Sequence, residues 1–471
     1  MKLSLLDPVS AETRRLLTER WKCLPQHLRQ DNQTVGQHWV QCGYTLGPSY
    51  CSFGCSHCYL PGNANRVPLV PLQDMKAQID ANRAMLGEGG SIQITGGDVA
   101  DAYWRAGKPS ELTEILGYAN ASGLVPMLMT HGQTLLQNPG YLEELVVEGG
   151  LRKLSLHIDI TQAGRNDYPV RSLNSESQLN PLRDEFVRLV LDCRKKTGHQ
   201  LRAAQTVTVT EANIDSISDI IAWLISKPEN MEVCRTISFQ TEAQTGRTRC
   251  GQQKITPEQT WQSICDKLEM KLPRDHLLFG HPDCSSTATL IVRSSDRKIV
   301  RLSGETPPAR KFWSALLKHY GGVGARGRSG ARAWARKLAV LAMHPSMVVH
   351  FFAFAAHLFK HEKLTLGMLW SCLTGRAKGF NIVMHNFMDD YQLSGNQSPR
   401  VKERLNACSF RGAVKQDGEW QAVPMCQMNA SLRRDLYQTK IDHDRHQSTD
   451  LVSQNTLSTK RTSIRVVEPV N

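Results

Sequence analysis

The 471-residue sequence predicts an α/β fold, a partial (β/α)6 TIM-like barrel followed by a cysteine-containing carboxyl-terminal extension. Two observations lead there. Short apolar and β-branched runs alternate with helix-length stretches through the first half of the chain. With 40% apolar residues, the chain is also long enough for a barrel-sized core plus one or two smaller modules.

Residues 1–37 read as an amino-terminal extension and 38–245 as the barrel. Candidate strands, bounded by Gly, Pro or Asn, are His38–Tyr44, Ser91–Thr95, Pro126–Thr130, Lys153–Asp159, Arg202–Thr210 and Val233–Gln240. Helices are expected near 73–87, 109–122, 138–148, 181–197 and 214–227, completing six β/α units of an open parallel barrel. Active sites of such barrels collect at the carboxyl ends of the strands. Candidates there are Gly96, Gly97 and Asp98, then Thr130, His131 and Gly132, then His157 and Asp159, then Thr210 and Asn213. Each alone is more readily a cap or a satisfied turn residue. Their shared placement makes them candidates.

The loop after the first strand carries the chemistry. Cys51, Cys55 and Cys58 stand in the run Tyr50-Cys51-Ser52-Phe53-Gly54-Cys55-Ser56-His57-Cys58-Tyr59. An iron-sulfur cube normally takes four thiolates, so three leave one iron open to a substrate or cosubstrate. A structural zinc site wants four closed ligands, usually as two pairs, and no second Cys-x2-Cys pair follows. Buried free cysteines are the other alternative, although Gly54, Pro61, Gly62 and Asn63 mark an exposed loop.

The Cys-x3-Cys-x2-Cys run resembles the signature of the radical S-adenosylmethionine superfamily. The resemblance implies a 4Fe-4S cluster on Cys51, Cys55 and Cys58, with S-adenosylmethionine bound through amine and carboxylate at the open iron. Reductive cleavage then yields a 5'-deoxyadenosyl radical, so the cofactor carries the hard step. It also implies that Gly96-Gly97-Asp98 contacts the methionine amine, Asp98 replacing a commoner Glu with a carboxylate one methylene shorter. His131, Asp159 and Asn213 join that segment as expected cofactor-binding residues. His57 stands where an aromatic carbocycle commonly precedes the third cysteine, and its imidazole can stack or donate a hydrogen bond.

Residues 246–300 read as a barrel-flanking segment and 381–438 as the carboxyl-terminal extension. The runs Ser238-Phe239-Gln240, Thr245-Gly246-Arg247, Gly280-His281-Pro282-Asp283-Cys284, His385-Asn386-Phe387-Met388-Asp389 and Pro424-Met425-Cys426 follow a shared order. That order resembles the branch containing archaeal tetraether lipid synthase and related methyltransferase-like proteins. Cys408 and Cys426 flank an Asp417-Gly418 hairpin signal that would bring their thiols together. With Cys284, the family comparison implies, they ligate an auxiliary iron-sulfur cluster. Ordinary buried cysteines are the alternative.

Between these lies 301–380, a basic and apolar insertion. From Arg293 to Lys337 there are twelve Lys or Arg against Asp296 and Glu305, most of the chain's net charge of +13. The apolar span Leu338–Phe359 follows, long enough for a membrane helix but interrupted by His344, Pro345, His350 and His357. Basic flanks beside Val348, Phe351, Phe352, Leu358 and Phe359 suit an interfacial anchor on an anionic membrane. A buried helix hairpin explains the span equally well. Nucleic-acid binding is the least favoured use of the basic stretch, since no stacking platform accompanies it. The tail from 439 to 471 is too polar to order itself.

An odd cysteine count and an amino terminus without an apolar signal region point to a reducing cytoplasm, with contact at the inner membrane face. The expected activity is that of a radical enzyme functionalising an unactivated carbon, by the resemblance that of a lipid, through carbon-carbon coupling or one-carbon transfer. Its expected partners are an apolar substrate and an electron donor of flavodoxin or ferredoxin type. Alternatives are a radical enzyme acting on a peptide or small molecule, and a non-catalytic, membrane-associated iron-sulfur electron carrier.

Overall fold

The computed structural model describes residues 9–37, 42–162, 172–248, 255–321, 323 and 331–445. After α1 (Ala11–Cys23) come β1 (Cys42–Tyr44) and α2 (Leu72–Leu86). Next are β2 (Ser91–Ile94), α3 (Val99–Arg105), α4 (Pro109–Ala121) and β3 (Val125–Thr130). α5 (Gln133–Gln137), α6 (Pro139–Val147), β4 (Lys153–His157), α7 (Asn180–Thr197) and β5 (Arg202–Val209) follow. α8 (Ile217–Ser226), α9 (Pro228–Val233), β6 (Cys234–Thr241) and α10 (Pro257–Lys267) complete this half. Strands β1 to β6 lie in chain order, each parallel to the next.

Local chemistry explains these elements. α7 opens with Pro181, which lacks only an N–H the first turn cannot use, and closes on Gly198 at φ 70 after a basic last turn. α8 is almost wholly apolar and buries Ile217, Ile220, Ile221 and Leu224 against the sheet. β5 is buried on both faces, as a parallel strand covered on each side must be. Observed ends differ from the expected ones by three residues or fewer, and 38–41 of the expected first strand lie outside the described residues.

Three further strands enlarge the sheet. β7 (Ser285–Arg293) runs antiparallel to both β8 (Lys298–Arg301) and β9 (Ala377–Asn386), and β9 lies parallel to β6. The result is one mostly parallel nine-stranded sheet in the order β1-β2-β3-β4-β5-β6-β9-β7-β8. The expected boundary between insertion and extension at 380 therefore falls inside β9, whose Phe380, Ile382 and Met384 alternate into the core.

Between β8 and β9 lie α11 (Pro307–Tyr320), α12 (Ala331–Met343), α13 (Ser346–His361) and α14 (Leu366–Leu373). Among the described residues no single helix is long and apolar enough to cross a membrane. The helices on either side of Pro345 bend by 95°.

After β9, α15 (Asp390–Leu393) and α16 (Pro399–Ala407) lead to the hairpin β10 (Arg411–Gln416) and β11 (Glu419–Pro424). Its turn is Asp417-Gly418, at φ 50 and 86, the left-handed pair that matches strand twist. The Tyr44 hydroxyl donates to the Val423 carbonyl at 2.8 Å, which ties this hairpin to β1. Residues 433–445 are helical, so order continues past 439, where the tail was expected to begin, and 446–471 lie outside the described residues.

Candidate active site

Backbone hydrogen bonds hold the loop of Cys51, Cys55 and Cys58 from two sides. The turn after β2 grips it: Gly97 N–H donates to Pro48 O at 2.8 Å and Asp98 N–H to Tyr50 O at 2.9 Å. Glycine is required in that turn, because a Cβ on Gly96 would lie 2.1 Å from Pro48 O and one on Gly97 2.0 Å from Tyr50 O. On the other side Arg247 N–H donates to Cys58 O at 2.9 Å. Asn65 Oδ1 accepts from Cys51 N–H at 3.1 Å, and the Tyr59 hydroxyl donates to Gly96 O at 2.5 Å.

A cavity of about 190 Å³ opens at the carboxyl ends of β2 to β6 and β9. Cys51, Cys55 and Cys58 line it together with Gly96, Gly97, Asp98 and His131. Asp98 is almost fully engaged. Its Oδ1 accepts from Asp101 N–H at 2.9 Å, capping α3, while Oδ2 accepts from Thr130 Oγ1 at 2.7 Å and His131 N–H at 2.6 Å. The His131 ring stacks on Phe53, centroids 3.7 Å apart.

Asp159 and Asn213, expected as cofactor ligands, do not line the cavity but lie behind its wall. Asp159 Oδ2 accepts from Thr208 N–H at 2.8 Å and pairs with His157 Nε2 at 2.9 Å. Asn213 Nδ2 donates to Glu176 Oε1 at 2.9 Å and Thr208 O at 2.8 Å. Thr208 and His157 themselves face the cavity, so the buried pair sets their positions rather than reaching a ligand.

Burial pushes the Cys51 thiol well up from its ordinary range, and Asp98, Cys58 and Cys55 push the same way against the Phe53 N–H. Arg247 answers this charge. Burial lowers its guanidinium pKa, but Cys58, Cys55 and Cys51 outweigh burial and leave it raised. No group of three His, Cys, Asp or Glu among the described residues stands in metal-holding positions. The donor set suits an iron-sulfur cluster all the same: three soft sulfurs share one loop, one cavity and one cationic partner.

Cys284, Cys408 and Cys426 are brought into one neighbourhood around Arg404, whose Nε donates to Cys284 Sγ at 3.4 Å. The Cys426 thiol is pushed up to about 12 by burial, then by Cys408 and Cys284. Burial raises Cys284 to about 11, with Arg404 opposing and Cys408 adding. Phe410, whose carbonyl accepts from Cys408 Sγ at 3.1 Å, and Met425, adjacent to Cys426 in the chain, line the cavity.

Sequence reasoning gave no site role to the cavity residues Glu242, His385 and Arg433, nor to Arg247 beside the thiol loop. Glu242 Oε2 pairs with His57 Nδ1 at 2.9 Å and raises the imidazole pKa against burial. Arg433, buried, donates to Tyr437 and Asn429 at 3.0 Å each and lies over the Tyr59 ring. His385 pairs in register with Gln240 across β6 and β9. The alternation of β9 was the one signal that could have placed His385.

Burial lowers the His385 imidazole to about 4, from its ordinary value of about 6.5. The folded state thus binds its proton less readily than the unfolded state, and stability is lost as pH falls from about 6.5 toward 4, by on the order of 3 kcal/mol. Urea unfolding at pH 5 and pH 7 checks this. The difference between the two should shrink in a His385→Gln variant, and an unchanged difference would remove His385 as the cause.

No protein-family model matches this chain, and no curated protein matches it.

Proposed function

We propose that this chain is a radical S-adenosylmethionine enzyme that functionalises an unactivated carbon of a lipid, by carbon-carbon bond formation or one-carbon transfer. One observation carries the reading: a three-cysteine loop laid against a Gly-Gly-Asp turn, both facing a cavity at strand carboxyl ends. Cys51, Cys55 and Cys58 would hold a 4Fe-4S cluster, which with bound S-adenosylmethionine supplies a carbon radical able to take hydrogen from an unactivated carbon.

The chain's own residues do the rest. Gly96 and Gly97 bring bare backbone to the cavity, and Asp98 fixes the end of β3 rather than leaving it mobile. Arg247 offsets thiolate charge. Met129, Phe387, Phe410 and Met425 give the cavity an apolar wall that excludes water and suits a hydrocarbon. The chain order of β1 to β6, joined by helices, supports curvature of this sheet into the expected partial barrel. Cys284, Cys408 and Cys426 are the proposed auxiliary cluster ligands, and a flavodoxin- or ferredoxin-type protein is the electron donor the chemistry requires.

Anaerobic reconstitution with iron and sulfide tests the reading. With dithionite and S-adenosylmethionine the intact chain should release 5'-deoxyadenosine, and a chain with Ser at positions 51, 55 and 58 should release none. Iron uptake by the intact chain without any 5'-deoxyadenosine would leave the non-catalytic electron carrier.

A further inference from the structure

We propose that the outer faces of α13 and α14 dock this protein on an anionic lipid bilayer. The inference stands independently of the catalytic reading.

α13 is apolar on two sides. Met347, Phe354 and Leu358 point inward, Phe354 stacking on Phe312 of α11 at 4.8 Å. Val348, Phe351, Phe352 and Phe359 are exposed, Phe352 at 64%. α14 goes further. Leu366, Leu369, Trp370 and Leu373 recur at the spacing of one helical face, and that face is open to solvent, with Leu366 76%, Trp370 64% and Leu373 81% exposed. Met368 and Ser371 are the residues it buries. An amphipathic helix of a water-soluble domain turns such a stripe into its own core, whereas α14 turns it out.

The inner faces of both helices rest on one cluster, in which Phe354, Leu358, Leu364 and Met368 meet Val300. Their outer faces therefore turn away from the same ground and together present an apolar surface of the kind that marks an interface.

Charge selects the partner. From Thr306 to Arg376 the only carboxylate is Glu362, and it is tied to Arg301, while the same stretch holds eleven Lys or Arg. Lys360 and Lys363 lie between the two exposed stripes and Arg376 follows the second, all three exposed. A basic rim around aromatic and leucine side chains complements anionic headgroups over an acyl boundary. A second copy of the chain would instead set this positive rim against itself. Trp370 has the amphipathic ring that sits at headgroup level. The 95° bend at Pro345 suits helices lying in the interface rather than across it.

Flotation of the full chain with vesicles tests the proposal. It should float with phosphatidylcholine–phosphatidylglycerol vesicles and much less with phosphatidylcholine alone. Phe352→Glu with Trp370→Glu should abolish flotation while leaving circular dichroism unchanged. Lys360→Glu and Lys363→Glu should each weaken binding at least about fivefold. The proposal is overturned if the intact chain stays in the lipid-free fractions. It is equally overturned if light scattering shows a stable dimer that Phe352→Glu with Trp370→Glu converts to monomer.

Discussion

A Gly97→Val chain should keep all three thiols of its loop and still lose cluster loading. A Cβ there would stand 2.0 Å from Tyr50 O, and backbone cannot yield as a flexible side chain would. The turn after β2 and the cysteine loop must then part, breaking the bonds from Gly97 to Pro48 and from Asp98 to Tyr50. Overpacking of this kind costs about 1–3 kcal/mol or more. Iron content after anaerobic reconstitution should fall to background, with 5'-deoxyadenosine release falling alongside. Gly140→Ala is the control, since a Cβ at Gly140 meets nothing within 4 Å. Full iron loading in Gly97→Val would refute the role given to this turn.

Arg183→Met should cause the largest loss of stability. Arg183 Nη2 and Glu176 Oε2 pair at 2.5 Å with both side chains fully buried, and Arg183 also donates to Ile158 O at 3.1 Å. Burial already raises the Glu176 pKa, with Arg183 opposing. Without the guanidinium a buried carboxylate has no countercharge, a loss of about 3–5 kcal/mol. Glu176→Gln on the same background should recover part of it. The exposed Lys108–Glu111 pair should yield under about 1 kcal/mol when Lys108 is replaced. Urea unfolding reads all three, and a loss no greater for Arg183→Met than for the surface pair would sink the argument. The effect should also reach the cavity, because Asn213 bonds both Glu176 and Thr208.

What could be read from the sequence divides along physical lines. The six strands and intervening helices of the first half were legible because Gly and Pro punctuate them and their apolar periods differ. β9 was not, because its partners β6 and β7 are distant in sequence and an apolar insertion runs up to its start. The loop thiols and Gly96-Gly97 were legible as local runs whose elements the structure brings together. Asp159 and Asn213 were not separable from ligands, since Thr208 and Glu176, which engage them, lie on other elements. Arg433 reaches the cavity from a segment with no local signal for it, and His385 had only the alternation of β9 to place it. α14 is legible as amphipathic, but only the structure says that its stripe faces out.

The helical residues 433–445 close over the thiol loop from far along the chain. Tyr437 and Ile441 pack with Leu60, Ala64 and Val67, and Cys51, Cys58 and Tyr59 border that cluster. During synthesis the cysteines leave the ribosomal tunnel long before this clasp exists. A nascent polypeptide stalled short of Arg433 therefore leaves these sulfhydryls without that cover, open to any passing oxidant.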